Sequence, residues 1–230
     1  MQTSLVFWLK AQYRAQGFAK DAADGTPVMQ LRKELRKLTQ RWQASFNGLA
    51  ETLSKEFAER VKSNTDAALT GNLKERGLAV KFTMTDEMRN AYQAAIGEQV
   101  GLIKSIASEH LTGVEGIVMR AVSEGRDLGE LSRALQKKYG VTKRRAALIA
   151  RDQNNKATSA LQEARQQHLG ITEGIWKHSH AGKHPRPSHL KADGEKFELA
   201  KGMYLDGKWV KPGQEINCRC TWNPIIPGID

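Results

Sequence analysis

The chain has 230 residues, 40% of them hydrophobic and 27% charged, with a formal net charge of +11. That length allows one large domain or two small ones around a sizeable core. No run of about 18 apolar residues occurs, which excludes a membrane-spanning helix and a membrane partner.

In chain order, residues 1–20 carry Leu5, Val6, Phe7, Trp8 and Leu9, interrupted by Lys10, Tyr13 and Arg14. They lack a basic leader ahead of the apolar run and a small-residue cleavage site, so they read as an amphipathic docking helix rather than a signal peptide. Asp24-Gly25-Thr26-Pro27 marks a turn and a helix start. Val28, Leu31, Leu35, Leu38, Trp42, Phe46, Leu49, Leu53, Phe57 and Val61 then recur at threes and fours. This is one stripe of a helix roughly 50 Å long. Gly71 and Gly77 are expected to break it between residues 64 and 83.

Thr85-Asp86 opens a second helical stretch that keeps its spacing to Val122, weakened by Gly97, Gly101, Gly113 and Gly116 at about 1 kcal/mol each. Asp127 caps a third helix that Gly140 closes, and Thr142 begins a fourth that Gly170 ends. This last pair has the form of a helix-turn-helix, but Leu128, Leu131, Leu135, Val141, Ala147, Leu148 and Ala150 account for it as packing.

Beyond Gly170 the texture changes to short alternating pieces. Strands are expected at 175–178 and 196–199, a hairpin at 203–205 and 208–210 turning on Asp206-Gly207, and a closing strand at 216–222. The fold class that follows is α+β: a mainly α-helical N-terminal part with long helices over 1–125, which docks and spans. A small C-terminal α+β module with short antiparallel strands follows over 126–230.

That module holds most of the histidine and proline and both cysteines. Two cysteines one residue apart make no disulfide framework and require no oxidising compartment. In an extended strand Cys218 and Cys220 face one side, with Arg219 on the other. Two thiols beside His189 and His180, with His178, His184 and Asp193 as further donors, suit zinc, which takes four tetrahedral sulfur and nitrogen ligands. Against this, structural zinc sites space their cysteines more widely, and two inert thiols packed under the hairpin fit equally. The residues leave both readings open. A metal-dependent nuclease would use His189 and Asp193, but no acidic pair completes such a set, and no catalytic residue is assigned. The positive charge favours non-specific contact with double-stranded DNA, with Lys143, Arg144 and Arg145 as the densest cluster. Arg186, held between Pro185 and Pro187, and Arg219 can fork hydrogen bonds to carboxylates or carbonyls, so Arg186, Asp193 and Asn217 are expected to fix loops against the final strand.

One ordered set of motifs points further. Arg151-Asp152-Gln153 lies on a helix. Trp176, Arg186-Pro187-Ser188-His189, Asp193-Gly194, Pro212-Gly213 and Asn217-Cys218-Arg219-Cys220 follow it. Over roughly 120–225 the set resembles the phage Mu F-like family of minor head proteins. That family shows an Arg-Thr-Glu-like step, a Trp strand, Arg-x-x-His, Asp-Gly and Pro-Gly turns, and a closing Cys-Arg-Cys. Asp152 and Gln153 depart from the usual pair, and His178 and His180 stand where an aspartate is common. The resemblance implies a non-enzymatic structural protein of head morphogenesis inside the capsid of the virion, assembled in the host cytoplasm. The portal protein, the major capsid or scaffolding protein and packaged DNA would be its partners.

Overall fold

The computed structural model describes residues 26–80, 82–124, 128–181 and 184–228, together with Val6, Phe7 and Ala11. The expected docking helix over 1–20 and the Asp127 cap fall almost wholly outside them. Of these described residues 68% are helical. Helices α1 (Thr26–Glu75), α2 (Asp86–Ser123) and α3 (Leu128–His168) precede β1 (Glu173–Lys177), a short helix α4 (Pro187–Lys191), β2 (Lys196–Glu198), β3 (Met203–Leu205), β4 (Lys208–Val210) and β5 (Thr221–Ile225). This is the α+β class the sequence indicates.

The break expected in α1 between residues 64 and 83 occurs there, at the second of the two glycines, whereas the one expected at Gly140 does not occur. Gly71 does not end α1, because Leu69 and Leu73 on either side are buried in the core of the strand module. The helix stops instead at Gly77, whose φ of +78° permits a left-handed cap. There Leu78 N donates to Leu73 O at 2.9 Å and Gly77 N to Lys74 O at 3.0 Å, the paired bonds of a Schellman motif. Gly140 likewise leaves α3 unbroken, so the turn a helix-turn-helix needs is absent. Burial of Leu131 and Leu135 on the preceding turns outweighs the roughly 1 kcal/mol that one helical glycine costs. Gly170 ends α3 as expected, with φ +76° and bonds from Gly170 N to Gln167 O and Ile171 N to Gln166 O. Thr85 caps α2, its Oγ1 accepting from Met88 N at 3.3 Å.

The buried stripe of α1 also drifts. Leu49 and Leu53 are exposed, while Ala50, Ser54 and Ala58 are buried. Small side chains occupy these buried positions.

The chain divides into two compact units, Met1–Thr52 with Val100–Ala147, and Leu53–Gln99 with Leu148–Asp230. Each unit joins two stretches that are distant in sequence. They cut across the long helices, because the packing partners of a long helix lie far away in sequence. In the first unit Leu31, Leu35, Leu111, Val114, Val118, Ala121, Leu131 and Leu135 form the core. His110 is fully buried beside them, its Nδ1 2.9 Å from Thr142 Oγ1. That hydroxyl donates to Lys138 O, so it accepts from His110, and Nδ1 carries the proton. Burial, then the nearby Lys138, push the His110 pKa below 6.5.

In the second unit β1 is the central strand of an antiparallel sheet ordered β2-β1-β5. The separate β3–β4 hairpin turns at Asp206-Gly207, both with positive φ as its two-residue turn requires. Leu69 and Leu73 of α1 pack with Ile171, Trp176, Phe197, Leu199, Val210, Trp222 and both cysteines in one core.

Candidate functional site

The site is built on the aromatic centre of the sheet. Trp176 on β1 pairs with Trp222 on β5. Its ring meets Phe197 edge-on at 5.8 Å and His189 at 5.3 Å. Gly174 makes room for this packing, since a Cβ there would stand 2.6 Å from Trp222 Cδ1. The Asp193-Gly194 turn is fastened to β1 by Gly194 N on Trp176 O at 2.9 Å and Trp176 N on Glu195 O at 2.8 Å. This fixes α4, and with it His189, over the tryptophan.

The closing strand begins later than expected. Cys218 and Cys220 lie in an irregular loop that leads into β5, and the strand is only Thr221–Ile225. One row of polar residues on α3 holds that loop. Asn217 N donates to Asp152 Oδ1 at 2.6 Å, Asn155 Nδ2 to Cys218 O at 2.8 Å, Ser159 Oγ to Pro212 O at 2.6 Å, and Trp222 Nε1 to Gln166 Oε1 at 2.6 Å. Steps of three, four and seven residues put all four on one helix face. Gly213, at φ +80°, lies so close to α3 that a Cβ would stand 3.2 Å from Asn155 O. Asn217 takes a left-handed φ of +60°, a conformation asparagine tolerates.

The loop thus delivers both sulfurs to one imidazole. His189 Nδ1 is 3.6 Å from Cys218 Sγ and 3.5 Å from Cys220 Sγ. All three residues are buried, and their ligand atoms lie within 4.8 Å of one another. Cys218 is pushed down to about 5, chiefly by the hydrogen bond from the Cys220 thiol, and Cys220 is correspondingly pushed up. The far side of the imidazole faces Glu215, whose Oε2 is 3.0 Å from Nε2. That oxygen lies off the N–H line, so the contact is electrostatic and Nε2 has no hydrogen-bond partner. Glu215 also pairs with Lys208 and, at 3.2 Å, with Arg186 Nε. Lys208 foremost, then Arg186, hold its carboxyl below the usual 4.5.

Other expected site residues fall into three groups. Arg186 and Arg219 brace loops, donating to Ile216 O at 3.1 Å and Ala181 O at 3.0 Å. Together with Arg151, His178 and His184 they line a cleft of about 650 Å³ that includes His189 and both cysteines. His180 stands apart from the sulfur cluster: its Nε2 is 3.1 Å from Asp193 Oδ2, while Asp193 Oδ1 accepts from His178 N at 2.9 Å. Asp193 is thereby spent on the turn rather than joined to His189. Of the basic cluster on α3, Lys143 and Arg144 are exposed, and Arg145 pairs with Glu109 at 2.8 Å. Sequence reasoning missed Glu215 and the α3 row. Asp152, Asn155 and Ser159 were legible as one helix face, but nothing in the sequence named their hydrogen-bond partners.

Residues 112–223 match the family described as Phage Mu protein F like protein. Over this stretch the chain is similar to that family. The matched stretch takes in all of α3, the loop that its polar face supports and the first residues of β5. An uncharacterized protein of Haemophilus influenzae is 28% identical over 221 residues, 94% of this chain and 48% of that protein. The chain therefore spans about half the length of this curated relative. No solved structure matches it.

Proposed function

We propose that this protein acts in phage head morphogenesis as a minor head protein. In this reading it docks on the portal and the inner capsid wall and touches packaged DNA without sequence preference. The Mu F-like match over 112–223 carries it. Two physical features support it. On the β3–β4 hairpin Tyr204 and Trp209 are 60% and 58% exposed and stack edge-to-face, an aromatic pair of the kind that anchors protein interfaces. The net charge of +11 lowers repulsion beside densely packed phosphate. Among the described residues no helix is long and apolar enough to cross a membrane.

The decisive experiment co-expresses the tagged chain with the portal and major capsid proteins of its own phage. Recovery of either, lost in a Tyr204→Ala/Trp209→Ala variant, supports the reading. Recovery of neither, with the chain missing from purified virions, ends it. The nuclease alternative is tested by incubating the chain with plasmid DNA and magnesium, manganese or zinc. Cleavage that His189→Ala abolishes would replace the structural reading.

A further inference from the structure

Head assembly by docking makes no use of the most unusual chemistry in the chain, an imidazole and two thiols buried together. Simple packing explains the burial of each. It does not explain why one ring nitrogen sits equidistant from two sulfurs. A lone Nδ1 offers one hydrogen bond, along one line, and that bond can serve only one of them.

A tetrahedral metal accounts for the triangle. Zinc binds sulfur at about 2.3 Å and imidazole nitrogen at about 2.0–2.1 Å, which at a tetrahedral angle places N and S about 3.5 Å apart. The two observed separations are 3.6 and 3.5 Å. The buried Trp176 indole N–H has no hydrogen-bond partner of regular geometry, and its ring stands edge-on to that of His189 at 5.3 Å. Zinc binds cysteine as the thiolate. Behind the ring, Glu215 stands 3.0 Å from Nε2, beside rather than on the N–H line along which metal-bound histidines donate to a carboxylate. Two thiolates and an imidazole are soft donors, which select zinc over magnesium or calcium.

We propose that His189 Nδ1, Cys218 Sγ and Cys220 Sγ bind one zinc ion whose fourth position opens to the arginine-lined cleft and takes solvent. No fourth histidine, cysteine or carboxylate atom joins the group among the described residues, and His180 is held by Asp193. The ion ties α4 to the loop that α3 positions. This assignment is independent of the head-assembly reading and fails separately from it.

The test uses the full chain, purified under reducing conditions from zinc-supplemented cells and analysed by elemental mass spectrometry. About one zinc per chain is expected, lost in Cys218→Ser/Cys220→Ser. Because that variant can misfold, cobalt(II) is also added to the unaltered apo-protein. Intense visible bands with thiolate charge transfer are expected, shifting on addition of azide. Glu215→Gln weakens zinc binding about 10- to 100-fold. A folded chain with neither zinc nor thiolate–cobalt bands overturns the site, as does a Cys218–Cys220 disulfide in fresh protein. Cobalt bands that ignore azide overturn the open fourth position.

Discussion

Arg165 is 1% exposed, and its guanidinium is held by Asp66 from α1 with a second, longer bond to Leu161 O at 3.3 Å. Removing Asp66 leaves a buried cation facing one backbone acceptor. Breaking a buried pair in this way costs about 3–5 kcal/mol. Because the Asp66 side chain is 29% exposed, water reaches the gap, and the lower end, about 3 kcal/mol, is expected. For a chain of this size that lowers Tm by about 6–12 °C. The assay is thermal and urea unfolding of Asp66→Ala, followed by tryptophan fluorescence, which reports the buried Trp176 and Trp222. The double variant Asp66→Ala/Arg165→Met removes the orphaned charge and is expected to be more stable than Asp66→Ala alone. A Tm change under about 2 °C in the single variant, or a double variant less stable than it, refutes the argument that the buried charge carries the cost.

Three further outcomes follow from the same structure. The folded pKa of His110 lies below 6.5, so its stabilising contribution is complete above pH 6.5 and is lost as pH falls toward the folded value. The carboxylates with lowered pKa act only near and below 4.5, so Tm measured from pH 7 to 5 should decline less in His110→Gln than in the unaltered chain. Gly202→Ala combines a φ of +84° with a Cβ 2.4 Å from Val210 O. The left-handed conformation alone costs about 1–2 kcal/mol, and the backbone clash adds to it, so calorimetry should show Tm lower by at least roughly 4 °C. Asn155→Ala strips the Cys218 carbonyl of its donor at about 1–3 kcal/mol, and hydrogen exchange should rise first in residues 211–220.

The helices were legible wherever periodicity and end signals agreed: Thr85 as a cap, Gly170 as a stop, and the leucines and valines of the first unit's core. Reading failed at glycines, because Gly71, Gly77 and Gly140 look alike in sequence. Only Gly77 has the left-handed φ and the pair of closing bonds, and burial of the flanking leucines decides the other two. In the module, the two-residue turn at Asp206-Gly207 and the histidine–cysteine cluster could be read from residue types. Membership of the cluster was legible only in part: His189 stood first among the candidate donors and faces the sulfurs, whereas His180, also expected there, faces Asp193. Charge was the least legible property. Arg165 and Lys156 look like part of a DNA-facing helix, but one is buried on Asp66 and the other pairs with Asp152 at 3.0 Å.

The departure of Asp152 and Gln153 from the family's usual residues bears on how the site is held. Asp152 accepts from the Asn217 backbone, and Gln153 donates to Glu98 on α2 at 2.8 Å. The first residue of the pair therefore faces the cysteine loop while its neighbour faces another helix, as a step of about 100° along a helix requires. An acceptor is needed only at the first position, where a backbone N–H must be satisfied. The second needs only a polar partner for Glu98. The loop is thus set by α3 rather than by sheet register, and this is why the thiols converge on His189 although neither belongs to a strand. A helix that fixes three points of the ten-residue loop between β4 and β5 also explains why Arg219 can sit between two buried cysteines: its side chain leaves the core for Ala181 O, while the backbone on either side stays pinned.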